Sequence, residues 1–184
     1  STRMIGGLIM VHSDDQGLVL PPKIAPRQVV IVPIGDTEEI KSLCDKVYAD
    51  LLKKDISVFV DNSDRSPGFK FAEHEVNGIP GKRDLEKGFI TLARRDISEK
   101  INVDKTADIA SEIKALLDTI QKDMFERAKA RRDAQTYTAH NLQEVEQIMN
   151  AHPGFIKAMW CGNQECEDKL KEVVGVTSRC IPFN

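Results

Sequence analysis

The chain has 184 residues, 41% of them hydrophobic and 30% charged, which is enough for one good core and a small second one. Its net charge of −3 argues against a protein that coats nucleic acid over its whole surface but leaves room for a local basic patch. The longest apolar runs fall far short of the roughly 20 residues of a membrane helix, and no basic segment leads into an apolar one. We therefore expect a cytoplasmic protein that does not bind membranes.

The number and spacing of the cysteines indicate whether disulfides or a metal site are to be expected. The four cysteines, at positions 44, 161, 166 and 180, are too few and too unevenly spread for a disulfide framework, so we expect reduced thiols or a metal site. Cys44 lies on an apolar helical stripe and is interpreted as a core thiol. Cys161 and Cys166 form a C-x4-C pair, which is half of the four ligands that a structural zinc site needs. Cys180 is interpreted as a core residue rather than a ligand.

The first 34 residues join two kinds of sequence. Between Arg3 and His12 the apolar residues stand near helical spacing, which predicts a short buried helix. Pro21, Pro22 and Pro26 fix φ and bias the residues before them away from helix, so this part predicts an extended linker and a hinge.

The next hundred residues alternate between strands and helices. In chain order the pattern predicts strand 29–34, helix 36–52, strand 56–60, helix 68–77, strand 89–93 and helix 104–132. Asp36 with Glu39 is read as a capping box, and Asp104 as the cap of the last helix. Phe69, Ala72 and Val76 are predicted to face inward.

After residues 136–138 the pattern resets. It predicts a helix around 142–149, a strand at 155–160, a helix at 165–173 and a last strand at 177–181. The fold class is therefore α/β, a mixed β-sheet flanked by helices and followed by a small α/β domain that begins near residue 134.

Two charged loops are candidate ligand sites. Asp61, Arg65 and Ser66 belong to a polar loop that leaves the second strand, where open α/β sheets place ligand contacts. Residues 82–84, a Lys-Arg-Asp run, offer both signs of charge, and charged loops at strand ends can meet the Watson–Crick edge of an unpaired base. For each residue the alternative is a solvated surface charge.

Three other groups of residues are weaker candidates. The basic turns at 127–132 are interpreted as dipole-complementing, solvated charges, with phosphate contact as the alternative. His12 with Asp14 and Asp15 is read as helix-end and turn residues, since three residues without a fourth partner are weak evidence for a metal. His74 is expected to be structural or solvated.

The opening motifs carry a family resemblance. Ser1-Thr2-Arg3, then IGGLIMVHSDD at 5–15, GLVLPP at 17–22 and IAP at 24–26 are together similar to the third signature motif of prolyl-tRNA synthetases and the passage into their anticodon-binding domain. The type it resembles is the archaeal/eukaryotic one, which some bacteria also use, and the resemblance continues to the last residue. It implies the tail of a class II catalytic domain and linker at 1–26, an anticodon-binding domain at 27–133 and a truncated zinc-binding-like domain at 134–184.

The resemblance also implies a function, the ATP-dependent attachment of L-proline to tRNA(Pro) through prolyl-adenylate. Ser1 and Arg3 would lie at the ATP site, where a guanidinium can clamp a phosphate. Anticodon contacts would come from the two loops, namely Asp61, Arg65, Ser66, Lys82, Arg83 and Asp84. The whole enzyme would use ATP with Mg²⁺ and act as a homodimer through its catalytic domain. This chain, without motifs 1 and 2, is expected to be inactive alone.

The chain departs from the family in three places. A short strand of Arg-x-Glu character is missing before Gly81, so that either the protein lacks this strand or a mobile loop has been left out. Lys82 stands where the family often has proline. The sequence reaches Asn184 before the second C-x2-C pair that would complete a zinc site with Cys161 and Cys166, so that either the metal is absent or a missing tail completes the site. The alternative function is a stand-alone RNA- or protein-binding module, but such a module would have no use for the motif tail at 1–22.

Overall fold

The computed structural model describes residues 1–79, 81–86, 89–104 and 107–181, with the backbone alone at 82–86 and 89. The chain divides into two compact units, 1–128 and 129–184. In chain order the elements are α1 Arg3–His12, β1 Val29–Pro33, α2 Glu38–Lys53, β2 Val58–Val60, α3 Pro67–Val76, β3 Gly81–Glu86, β4 Phe89–Arg94, β5 Lys100–Asp104, α4 Ile109–Ala134, β6 Thr136–Ala139, α5 Leu142–Ala151, β7 Phe155–Ala158 and α6 Gln164–Val174.

A five-stranded sheet in the order β2-β1-β3-β4-β5 forms the centre of the first unit. β1 is parallel to both of its neighbours, whereas β3, β4 and β5 pair antiparallel. The first four residues of β1 are buried, as its continuous β-branched run predicts for a strand covered on both faces. The mixed α/β class expected from the sequence is confirmed.

The two faces of the sheet carry different helices. Val29 and Ile31 pack with α2 and α4 in the larger core, which includes Cys44, so the interpretation of Cys44 as a core thiol is confirmed. Val30 and Val32 point to the other face, where they cluster with Ile79 and with half-buried Phe59 and Phe71. α3 therefore covers this second face, through Phe71.

The residues that follow the missing Arg-x-Glu segment lie in the sheet. Residues Gly81–Glu86 themselves form β3 and pair with β1 on one side and β4 on the other. An apolar central strand such as β1 would otherwise leave a row of unpaired backbone groups, which is costly in a buried setting. For the same reason, the prediction of a loop at 82–84 is wrong for the backbone.

Helix starts differ from the predictions in two places. Thr37, not Asp36, caps α2, its hydroxyl accepting from the Ile40 amide at 3.4 Å. Asp36 instead forms an ion pair with Lys41 at 2.8 Å. The helix predicted from Asp104 begins at Ile109, because residues 100–104 alternate in burial and form β5 beside β4.

The inward face predicted for α3 is also wrong. Phe69 and Val76 are 53% and 57% exposed, whereas Lys70 and His74 are buried. Ala72 is exposed as well. The apolar residues follow a helical period, but apart from half-buried Phe71 the inward side chains of α3 are Lys70 and His74, which form the hydrogen bonds described below.

Helix α1 forms where predicted, but none of its residues is buried. Met4 and Met10, for example, are 73% and 78% exposed. Apolar spacing establishes the helix and its face, whereas burial also requires a surface to pack against. The described residues provide no such surface, so the prediction of a buried helix is wrong for this chain.

The segment after α1 is fastened to the first unit rather than extended. Backbone amides of Leu18 and Leu20 donate to the carbonyls of Val76 and Gly78, at 3.1 and 3.2 Å. The amides of residues 24 and 25 both donate to Pro21 O, so the prolines lie in a turn. Gly78 has φ +70°, and a Cβ there would lie 2.5 Å from Leu18 O. The hinge and extended linker are therefore not found.

The second unit contains a parallel pair of strands, β6 and β7, together with α5 and α6. α5, α6 and β7 form where predicted, although β7 ends two residues earlier than expected, and the short strand β6 was not predicted. Residues 177–181, predicted as a strand, have no regular structure. Cys180 is exposed, so its interpretation as a core residue is wrong. A strand there would need a partner edge, and none pairs with it in the described part of the unit.

Candidate RNA-binding pocket

An open pocket of about 590 Å³ lies beside the edge strand β2, on the face of the sheet that carries α3. Its apolar wall comes from the segment between α1 and β1, which we call the docked segment, and from a residue between α3 and β3: Leu18, Leu20, Pro26 and Ile79. Polar side chains from the loop after β2 and from α3 with its C-cap line the pocket as well, together with Arg27 and the ring of Phe59. A cavity of this size with an apolar wall and a few convergent polar groups is typical of a ligand site.

Asp61, the first residue after β2, organises the loop at the pocket. Its carboxylate accepts from the Ser63 amide at 3.0 Å and from the Ser63 hydroxyl at 2.6 Å. The ring Nε2 of His74 lies 2.8 Å from the other carboxylate oxygen. Lys70 donates to the Asp61 backbone carbonyl at 2.9 Å. Asp61, Lys70 and His74 are all buried, and together they explain why α3 turns a polar face inward.

Burial and hydrogen bonds shift the pKa of Asp61 in opposite directions, and the combined effect of the hydrogen bonds is the larger. Burial alone raises the pKa, while the Ser63 bonds, then His74 and the charge of Lys70, lower the pKa of Asp61 to about 2. The carboxylate is thus ionised and accepts hydrogen bonds only, so His74 Nε2 carries the proton between them. His74 has the structural role that was one of the two expected for it.

Arg65 and Ser66 complete the loop. The Ser66 hydroxyl caps α3 by accepting from the Phe69 amide at 3.4 Å. Arg65 donates to Glu73 at 2.8 Å and lies over the Phe69 ring, 4.8 Å from its centroid. Both Arg65 and Glu73 line the pocket and are about half exposed. Arg65 is therefore held in place at a surface that a ligand can reach.

Arg27 also lines the pocket, and the sequence analysis did not select it. Its guanidinium carbon lies 4.0 Å from the centroid of the Phe59 ring. The signal available in the sequence was an arginine just before a buried strand and an aromatic residue between two β-branched residues of the next strand. Neither is a motif, and only the pairing of β1 with β2 brings them together.

The other predicted site residues lie elsewhere. Lys82 and Asp84 are in register with Val30 and Val32 of β1. The backbone at 82–84 therefore belongs to β3, which is separated from β2 by β1. The side chains of Lys82, Arg83 and Asp84 lie outside the described residues. Ser1 and Arg3 are exposed at the start of α1, where the Ser1 hydroxyl accepts from the Arg3 amide at 3.3 Å.

Three of the remaining candidates form ion pairs within the protein. Arg127 forms a 2.7 Å ion pair with Asp96, and Arg132 pairs with its neighbour Asp133. Asp14 is paired with Arg95 at 2.7 Å and makes a tight turn with Gly17, as a turn residue should.

In the second unit, Cys161 and Cys166 are exposed with their sulfurs 3.0 Å apart. The pair lies at the start of α6, close enough for both thiols to take one metal ion. In the described part of the chain, no three His, Cys, Asp or Glu side chains are grouped so that they could hold a metal ion. The described helices include none that is long and apolar enough to span a membrane.

Comparison with known families now defines the class of protein. The family model described as "Anticodon binding domain" matches residues 28–116, which contain the pocket loop. A second model, "Prolyl-tRNA synthetase, C-terminal", matches residues 142–184. The chain is thus an anticodon-binding domain followed by a C-terminal domain of the synthetase type.

Individual relatives identify the family. Curated proteins named "Proline--tRNA ligase" from Lachnoclostridium phytofermentans and Clostridium novyi are 49% and 50% identical to this chain, over its whole length. The crystal structure of prolyl-tRNA synthetase from Cryptosporidium parvum, complexed with L-proline and AMP, covers 100% of the chain with a TM-score of 0.89 and 33% identity. The chain belongs to the prolyl-tRNA synthetase family, as its resemblance predicted, and corresponds to the C-terminal part of these proteins. It spans 39% of the length of the two relatives.

Proposed function

We propose that this chain supplies the anticodon-binding and C-terminal parts of a proline–tRNA ligase, which attaches L-proline to tRNA(Pro) through prolyl-adenylate at the expense of ATP. The observation that carries the proposal is the similarity of the entire chain, at about half identity, to relatives of that name. We further propose the domain division given above, 1–26, 27–133 and 134–184, and action in the cytoplasm.

We propose that the pocket beside β2 receives unpaired bases of the tRNA. Sequence-specific RNA recognition targets splayed-out bases, which need hydrogen-bonding groups at their edges and a surface to stack on. Arg65 lines the pocket, is about half exposed and retains guanidinium donors beyond its bond to Glu73. Ser66, the next residue of the loop, is exposed and is proposed as a second contact. Asp61 acts indirectly, since its carboxylate already accepts several bonds and holds the loop in shape. Lys82, Arg83 and Asp84 are proposed as contacts from β3.

The proposed cofactors and partners follow from the whole enzyme. Arg3, with Ser1, would clamp the phosphates of ATP, and Mg²⁺ would neutralise charge there. Cys161 and Cys166 would supply two of the four ligands of a structural Zn²⁺, and two further ligands are needed. Homodimerisation is proposed to occur through the catalytic domain.

The chain alone is proposed to bind tRNA but not to activate proline, because motifs 1 and 2 of the adenylate pocket are not among its residues. Proline-dependent exchange of pyrophosphate into ATP measures the activation step directly. We expect no exchange above background, and exchange by the purified chain would contradict the proposal.

The test of the main proposal is binding of the chain to tRNA(Pro) and to the same tRNA with a substituted anticodon, over a range of salt. We expect the native anticodon to be preferred, and the preference to survive rising salt, because phosphate contacts weaken with salt whereas base contacts depend on it much less. Equal binding that disappears at higher salt would contradict base recognition by this chain. An accessory module that binds protein rather than RNA would show no tRNA binding at all.

A further inference from the structure

Arg27 and Phe59 form a layered pair at the wall of the pocket. The Arg27 guanidinium carbon is 4.0 Å from the ring centroid of Phe59. The ring is in turn supported by His74, whose ring centroid is 6.1 Å away at an interplanar angle of 68°. His74 is fixed by its 2.8 Å contact with Asp61. The Arg27 guanidinium therefore rests on Phe59, and the Phe59 ring is held in place by the buried pair of His74 and Asp61.

The backbone on both sides of Arg27 is anchored to Ser57, just before β2. The Ser57 hydroxyl donates to Pro26 O at 2.6 Å, and the Ser57 amide donates to the side chain of Gln28 at 2.8 Å. The Gln28 amide donates back to Ser57 O, also at 2.8 Å. Arg27 thus projects from a fixed point, so that less conformational entropy is lost when a ligand covers it.

The positive charge of Arg27 contacts an aromatic ring rather than a carboxylate. No Asp or Glu of the described residues forms an ion pair with it, in contrast to Arg65, which is paired with Glu73. The side chain is exposed and lines the pocket. A guanidinium resting on an aromatic ring, with its other side open to solvent, is the kind of surface on which unpaired bases stack.

We propose that Arg27, supported by Phe59, is the stacking platform for one unpaired base of the bound tRNA loop. The inference rests on the proposed function and adds a residue to it. Stacking is tolerant of base identity because every base has a π-face, so this platform adds affinity while residues at the pocket rim read base edges. Arg27 is therefore an affinity residue and not a determinant of which anticodon is chosen.

The test uses the 184-residue chain and an anticodon stem-loop RNA carrying 2-aminopurine at successive loop positions. The informative variant is Arg27→Lys, which keeps the charge but removes the planar stacking surface. We expect roughly tenfold weaker binding, the range for loss of one stacked base. At one loop position, the change in 2-aminopurine fluorescence on binding should be much smaller for R27K than for the native chain. Arg27→Gln should weaken binding at least as much.

Lys23→Gln is the matched control, because it removes one positive charge four residues away on the same exposed segment. We expect it to lower affinity less than R27K and to leave the fluorescence change intact. Discrimination between native and substituted anticodons should be the same for R27K as for the native chain. Native-like binding and fluorescence in R27K would overturn the platform while leaving the proposed function standing. Absence of RNA binding by the native chain would overturn both.

Discussion

Arg95 donates two hydrogen bonds of 2.7 Å to the two carboxylate oxygens of Asp14, 81 positions earlier in the chain. The Arg95 side chain has 0% exposure, and its Nε also donates to the carbonyl of Glu75 at 2.9 Å. The pair therefore ties the segment after α1 to the end of β4 and to α3. This fastening also places Leu18 and Leu20 at the pocket wall.

Removal of the Asp14 charge should destabilise the first unit. In Asp14→Asn the guanidinium of Arg95 is left buried without its counter-charge, and we expect a loss of about 1–3 kcal/mol. The loss is smaller than for a fully buried pair because the Asp14 side chain is 45% exposed. Urea denaturation followed by circular dichroism measures it. Asp15→Asn, an exposed neighbour, is the control and should change the stability little; equal effects of the two variants would contradict the role of the ion pair.

The same pair predicts a pH dependence. Hydrogen bonds from Arg95, more than its charge, lower the pKa of Asp14 to about 2. An unfolded aspartate titrates near 3.9, so the stabilisation is fully present above about that pH and is lost as the pH falls through about 2. The stability difference between native chain and D14N should therefore shrink over this interval. A difference that stays constant down to the folded pKa would contradict the assignment.

The close approach of the docked segment to α3 predicts a strict requirement for glycine at position 78. Gly78→Ala forces a side chain into φ +70° and places its Cβ 2.5 Å from Leu18 O. We expect a destabilisation of about 2 kcal/mol or more. Gly6→Ala, inside α1 with nothing within 4 Å, is the matched control and should be neutral or stabilising by roughly 0.5–1 kcal/mol. Equal denaturation midpoints for the two variants would show that the segment is not docked in solution.

The thiols should separate into two kinetic classes. Cys161, Cys166 and Cys180 are exposed, whereas Cys44 is 3% exposed within the main core. In a spectrophotometric thiol assay on the metal-free chain we expect three thiols to react at once and the fourth only at the rate of unfolding. Cys44→Ala should remove the slow phase alone. A rapid fourth thiol in the native chain would place Cys44 outside the core.

The apolar pattern of the sequence was sufficient to predict an element where its burial depends only on the spacing of apolar residues. The run at 29–34 predicted the central strand, and the stripe containing Ile113, Leu117 and Ile120 predicted the buried face of α4. It failed where a long-range polar contact decides the outcome. The inward face of α3 depends on Lys70 and His74 reaching Asp61, which no helical period can indicate.

The candidate site shows the same division. The polar loop at 61–66 could be recognised from its place after a strand, and the structure positions it along the pocket. Arg27 could not be recognised, because it meets Phe59, 32 residues later, only through the pairing of β1 with β2. Family resemblance added the function, which neither spacing nor fold class can supply.

Hydrogen–deuterium exchange of the chain with and without tRNA(Pro) tests the central claim most directly, since it locates bound RNA without altering the protein. We predict slower exchange at residues 27–28 and 59–66, the two segments that form the polar and aromatic side of the pocket. Protection confined to the basic turns at 127–132, with the pocket segments unchanged, would contradict the claim and assign RNA binding to phosphate contacts on α4.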